Sequence, residues 1–428
     1  MSFEWPENNQ TLQKTETEIL AYFHSPLRET RQRASQVLAN GLEKESHLLT
    51  YTYNMILSDH RLGLKLRHYE HPMDPRNLAN ETNRATVLNL VDSVKKAYPL
   101  AHRYYELKKK LLGYEVLHDY DRYAPIDQKS DPIPFDTCRQ MVVEGYHAFH
   151  PKAGQIIELF FEKNWIDAEI RPGKQGGGFC CATTPELHPY ILVNYTGNIR
   201  DVMTVAHELG HGLHQYLARE AGIFEQHTPL TMAETASVFG EMIIFEKILE
   251  KEIHPQRRLA LLMGKIDDQF ATVYRQICMT DFEIKAHTAG LQKGELSEEE
   301  LNRFWMESNA EFYGKSITLT DNYRHGWKYI PHFVHTPFYC YAYAYAQLFV
   351  LSLYQKFKKE PQGFQEKYFK MLTLGGSKSP DDLAAMMGFN LKDPNFWTLG
   401  LTLLENLVQQ AENLQHEALH ASATQSRS

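Results

Sequence analysis

TVAHELGHGLH, residues Thr204 to His214, decides how this chain is read. On a helix, His207 and His211 stand one turn apart on one face, about 6 Å along the axis, so both imidazoles can reach one zinc ion. Glu208 then projects beside such an ion without needing to bind it, where it can take a proton from water activated there. Val202, Val205, Leu209, Leu213 and Leu217 recur at spacings of three and four and predict a helix with a buried stripe. A lone histidine on an apolar face is usually a core residue, but here two histidines and an acid share a segment with no other reason for charge. His214 continues the same face. As a ligand it would put three histidines on one straight helix, so it is read as structural or as a support for the ligands.

A tetrahedral catalytic site needs a third protein ligand and leaves its fourth position to water. The metzincin extension requires Gly at position 214 and His at position 217; the chain has His214 and Leu217, which excludes that class. The alternative is an acid from a second helix, and MAETASVFGEM, Met232 to Met242, supplies one. Pro229 precedes it, and Ala233, Ala236, Val238, Phe239, Ile243 and Ile244 give it an apolar helical body. Glu234 and Glu241 share a face of that helix and either could bind metal. In so apolar a stretch, idle solvated acids are the weaker reading.

With the downstream TPLTMAETASVFGEM added, the motif resembles the thimet oligopeptidase and oligoendopeptidase F superfamily of zinc metallopeptidases, on the oligoendopeptidase F side. GGGFCCATTPELHPYILVNYTGN, IPHFVHTPFYCYAYAYA and GGSKSPDDLAAMMGFNLKDPNFW carry the likeness along most of the chain. The resemblance implies a mainly α fold: a large helical zincin-type body, a small β-sheet beside the active-site helix, and a deep channel that admits short unstructured peptides. It implies one Zn2+ per chain held by His207, His211 and Glu234, with Glu241 orienting a ligand histidine. The implied activity is zinc-dependent endoproteolysis of short oligopeptides, with Glu208 as general base. A zinc carboxypeptidase on a similar scaffold would share these residues but trim one residue at a time. Members usually carry a further N-terminal helical domain, so a short member, a fragment, one piece of a split enzyme or a non-catalytic peptide-binding remnant is also expected. The complete set of metal and acid residues argues against the remnant.

Composition argues against nucleic acid and membrane as partners. At 428 residues and 43% hydrophobic the chain can bury a large core. Its net charge of −8, from 45 basic and 53 acidic residues without a basic block, argues against nucleic acid. The longest apolar stretch, Tyr339 to Tyr354, is broken by Gln347 and full of tyrosines, so no membrane span is expected. Cys138, Cys180, Cys181, Cys278 and Cys340 are too scattered for a disulfide framework, and the polar start MSFEWPENNQTLQK has no secretory apolar core. A cytoplasmic protein is expected.

Amphipathic helical segments are predicted over Thr11–Phe23, Leu27–Asp59, Asn80–Leu117, Phe135–His147 and Pro151–Asn164. Ser297 with Glu300, and Ser379 with Pro380 and Asp382, read as helix starts. The single clear interruption is Arg171 to Gly197, where two β-rich runs, Phe179–Thr183 and Tyr190–Tyr195, predict a small sheet. The expected division is a helical lobe over 1–165, a catalytic region over 166–420 and a disordered tail over 421–428.

Two further groups of residues carry substrate-facing expectations. The glycine run Gly176 to Gly178 leads into a strand whose bare edge would let an extended peptide approach and pair through its main chain, along Gly177, Gly178 and Phe179. His332, His335, Tyr339, Tyr341, Tyr343 and Tyr345 crowd one short segment and can supply donors to the oxyanion of peptide hydrolysis. The resemblance implies a His followed about nine residues later by a Tyr, which fits His332 and Tyr341. Tyr339 and Tyr345 remain candidates, with His335 beside them along the substrate.

Overall fold

The computed structural model describes residues 1–7, 10–126 and 132–425, without the side chains of 418–425. Its centre is the motif helix, Ile199–Ala218, and the start of that helix is fixed by local chemistry. Asn198 caps it by accepting the Asp201 N–H, a donor the first turn would otherwise orphan, and the Asp201 carboxylate reaches back to accept the N–H groups of Thr196 and Gly197 ahead of the helix. The predicted stripe of Val202, Val205, Leu209, Leu213 and Leu217 is buried in full.

Helices Phe135–Phe149, Pro151–Glu162 and Ser237–Lys251 pack against the motif helix. Two glycines let them come close. A Cβ at Gly212 would meet the Phe160 ring at 2.7 Å, and one at Gly240 would overlap the Tyr146 hydroxyl. That hydroxyl donates to the Ala206 carbonyl at 2.9 Å, tying Phe135–Phe149 to the turn before His207. One apolar core runs from Tyr53 to Ala411 and draws side chains from both sides of the 165/166 boundary, among them Val142 and Phe160 with Val205 and Phe239.

The predicted sheet lies beside the motif helix as three short strands. Tyr190–Leu192 is central, parallel to Ile166–Asp167 and antiparallel to Phe179–Cys181, with Cys180 opposite Ile191. Phe179–Cys181 is therefore an edge strand, as the glycine reading requires. The fold is mainly α, and among the described residues no helix is long and apolar enough to cross a membrane.

Four expectations need correction. The interruption at Arg171–Gly197 is not the only β segment: Phe3–Glu7 pairs antiparallel with Gln10–Lys14, so Thr11–Phe23 is not one helix. Thr15 caps Glu16–Ala21 in a box with Glu18, which stops the helix from starting earlier, and the alternating Phe3 and Trp5 bury themselves against Arg28–Lys44. Leu27–Asp59 divides into Arg28–Lys44 and Ser46–Arg67, and Asn80–Leu117 into Arg84–Lys96 and Tyr98–Leu111, the latter opening with Pro99 in its first turn. The segment holding Glu234 and Glu241 is broken, into Leu230–Ala233 and Ser237–Lys251, with Glu234 at the break. The last helix is Phe396–Gln425, and 426–428, the end of the expected tail, lie outside the described residues. The helix starts at Ser297 and Ser379 are as expected.

Candidate metal centre

The break at Glu234 is what brings the third acid to the histidines. A Cβ at Gly210, inside the motif, would lie 2.4 Å from the Ala236 carbonyl oxygen and 2.5 Å from the Ser237 Cα. The motif helix thus touches the backbone of the kinked segment directly, and only glycine permits that approach. Ser237 Oγ donates to Glu234 Oε2 at 2.6 Å and holds the carboxylate in place.

Glu234 Oε2 lies 3.2 Å from His207 Nε2 and 3.4 Å from His211 Nε2, and the ligating atoms of all three residues fall within 4.8 Å of one another. Tetrahedral zinc with bonds of about 2.0–2.1 Å separates its ligand atoms by about 3.3 Å. The spacing of this donor set, two imidazole nitrogens and a carboxylate oxygen, therefore fits a single such ion.

Behind the trio, Glu241 Oε2 sits 3.3 Å from His207 Nδ1, and its other oxygen accepts from Lys265 Nζ. A carboxylate on Nδ1 fixes the ring so that Nε2 points at Glu234. Lys265 was not anticipated from sequence, because a lysine two helical segments away carries no local sign of its role. Burial pushes the Glu241 carboxyl up, but Lys265 and His207 outweigh it and hold it at about 2. Burial likewise disfavours charge on His207, yet hydrogen bonds to Glu234 and Glu241 raise the metal-free ring to about 10. Glu234 falls well below the usual carboxylate range for the same reason in reverse. His214 is buried and held at about 4 by desolvation and the charge on His211, so it is a neutral ring.

Glu208 is 7% exposed, and burial raises its carboxyl above the usual range against the charges of both histidines. Together with His207, Glu234, Gly178, Phe179 and Cys180 it lines a cavity of about 410 Å³. A Cβ at Gly178 would approach Glu208 Oε1 to 3.2 Å, so the edge strand passes close by the acid. Gly177 has φ +84, a conformation that favours glycine, with open space around it.

The tyrosine segment departs from the expected register. Tyr341 is fully buried and its hydroxyl accepts from Asn80 Nδ2 at 2.9 Å, while Tyr345 is buried against Trp397. Both lie on the inward face of Tyr341–Lys359, four residues apart, and the structure does not bring them to the site. Tyr343, on the other side, is hydrogen-bonded to His332 Nε2 at 3.2 Å. Tyr339 stacks on His332 at 5.2 Å and meets Tyr343 edge-on at 5.0 Å; His335 is exposed. Burial most of all, then Tyr339 and, more weakly, Cys340 and Glu234 raise the Tyr343 hydroxyl.

The signature of Peptidase family M3 matches residues 21–403. The chain belongs to Peptidase family M3. An oligoendopeptidase F homolog of Lactococcus lactis subsp. lactis is 26% identical to this M3 peptidase over 97% of the chain and 69% of the relative. The oligopeptidase PepF of Bacillus subtilis is 24% identical over 95% of the chain and 61% of its own length. In three dimensions the oligoendopeptidase-F of Enterococcus faecium superposes with a TM-score of 0.78 at 23% identity, covering 97% of this M3 peptidase and 69% of that chain, which bears on the fold alone.

Proposed function

We propose that this M3 peptidase is a zinc-dependent endopeptidase of short oligopeptides in the cytoplasm. The observation that carries the reading is the spacing of Glu234 Oε2 from the two imidazole nitrogens, 3.2 and 3.4 Å, beside a buried Glu208 in one cavity. Zinc held by His207, His211 and Glu234 would supply Lewis acidity, polarising a carbonyl and acidifying water towards ~7. Glu208 accepts the proton of the attacking water and returns it to the leaving amine, a role its upward-shifted carboxyl suits. Glu241, backed by Lys265, keeps His207 oriented. His332 and Tyr343 present donors to the developing oxyanion, with Tyr339 and His335 flanking the substrate. An extended peptide pairs with the free edge of Phe179–Cys181, and the bare backbone at Gly177 and Gly178 leaves it room. The helical lobe of 1–165 flanks the catalytic region of 166–420. Five free cysteines support a reducing compartment.

An internally quenched peptide with a C-terminal amide tests the reading. Cleavage at an internal bond is expected, and a peptide cut only as the free acid would move the assignment to a carboxypeptidase. Glu208→Gln should retain stoichiometric zinc by elemental analysis while turnover falls on the order of 10²–10⁴-fold. Retained turnover removes the general-base assignment. Glu234→Ala should lower zinc content, and full retention would point to another ligand.

A further inference from the structure

Helix Tyr274–Lys293 carries Arg275 into the neighbourhood of His332. Burial lowers the His332 pKa most, and the charge of Arg275 is the next cause. Arg275 is half-buried, yet among the described residues it makes no ion pair. Its Nη2 donates to the Tyr329 hydroxyl at 3.1 Å, and its Nε, buried, finds no acceptor among the described residues. A second guanidinium reaches the same place from the first 165 residues. Arg122, only 5% exposed, follows the turn Asp119–Asp121, lies over the Tyr123 ring at 4.8 Å and also leaves its Nε without an acceptor among the described residues. Burial would raise the Tyr123 hydroxyl, but Arg275 and Arg122 outweigh it and lower it, so both cations act on one hydroxyl. The two acids that border the group are engaged elsewhere. Asp119 accepts the Thr320 N–H at 2.7 Å, and Asp267 accepts from Lys108 and Tyr104, each at 2.6 Å.

Two cations in a recess without a dedicated counter-charge cost stability. A guanidinium also holds its N–H donors in a planar fork that matches a carboxylate, and here most of those donors are unused. We propose that Arg275, with Arg122 behind it, receives a carboxylate of the bound peptide, either its C-terminal group or an Asp or Glu side chain. The proposal rests on the peptidase reading above and gives it a substrate class: short peptides with a negative charge close to the bond cut. A charge acts through protein over on the order of 10 Å, the span of about three extended residues, which sets the distance between that carboxylate and the bond beside His332. Tyr329 and Tyr123 offer hydroxyls to the same group. A pair of arginines that served only to stack on tyrosines would be indifferent to the charge of the peptide.

The test uses the full chain with zinc and three versions of one internally quenched peptide: the free acid ending about three residues past the bond cut, its C-terminal amide, and that amide with Glu as the last residue. kcat/KM should be about tenfold higher for the acid than for the plain amide, mainly through KM, with the amide still cut at the same internal bond. A Glu amide that matches the acid assigns the charge to a side chain, and one that matches the plain amide assigns it to the C-terminus. Arg275→Gln should bring the acid-to-amide ratio to about one, whereas Arg275→Lys, which keeps the charge and loses the fork, should preserve part of it. Zinc content and melting temperature check that each variant is folded. Equal rates on all three peptides overturn the proposal, as does a ratio that Arg275→Gln leaves intact. Binding gives a readout apart from turnover: Glu208→Gln should bind the fluorescein-labelled acid about tenfold tighter than the amide by anisotropy. Charge-selective binding without cleavage would defeat the peptidase reading alone, and cleavage without charge selectivity would defeat only the carboxylate receptor.

Discussion

At the scale of single residues, the proposed mechanism gives the hydroxyl beside His332 the oxyanion role. Tyr343→Phe should lower kcat on the order of 10²-fold with KM little changed, whereas Tyr341→Phe should leave kcat near its starting value and cost about 1 kcal/mol of stability through the Asn80 bond, read by steady-state kinetics and thermal melting. The placement of His207, His211 and Glu208 was legible because one segment holds all three at fixed helical spacing. Tyr343 was not, since four tyrosines on alternate positions give no sequence sign of which face of Tyr341–Lys359 is buried. Protonation sets a second expectation. The metal-free His207 ring, at about 10, is charged at neutral pH and must lose its proton to ligate. Zinc uptake should therefore release about one proton and tighten about tenfold per pH unit between pH 6 and 9, measurable by calorimetry in buffers of different ionisation heat. Because the folded value lies above the ordinary 6.5, this ring stabilises the metal-free fold fully below that pH. The contribution is lost as pH rises through about 10, so the chelated protein should melt earlier on the alkaline side.

Between elements, the close crossing at Gly210 decides whether the acid reaches the imidazoles. Gly210→Ala should cost about 1–3 kcal/mol and reduce zinc occupancy, because the added methyl meets backbone rather than a side chain that can swing aside. A second control sits behind the tyrosines. Glu283, wholly buried, accepts the N–H of Phe338, whose φ of +59 forms the turn between His332–His335 and Tyr341–Lys359. Glu283→Leu should loosen that turn and lower kcat while zinc stays bound, and Glu283→Gln, which keeps an acceptor, should restore most of the rate. Element boundaries were the least legible part of the sequence. The apolar periodicity runs straight through Glu45, Ala97 and Glu234, where the chain turns for reasons of packing: Gly210 against Ala236 is a contact between segments far apart in sequence, invisible to any local window.

Across the whole molecule, the fold class followed from helical periodicity, but the sharing of the main core across residue 165 did not. Val142 and Phe160, from the first 165 residues, share one apolar interior with Val205 and Phe239, so residues 166–420 alone should fail to give a cooperative melt, while the full chain should unfold in a single calorimetric transition. The cavity is lined in part by Phe179 and Cys180, from the edge strand Phe179–Cys181. Such an edge turns only every second residue's donor and acceptor outward, so it imposes a parity on any guest. Walking a single N-methyl group along an otherwise constant peptide should be tolerated at one residue, refused at the next and tolerated again, an alternation indifferent to side chains that also predicts where a proline would protect a peptide from digestion.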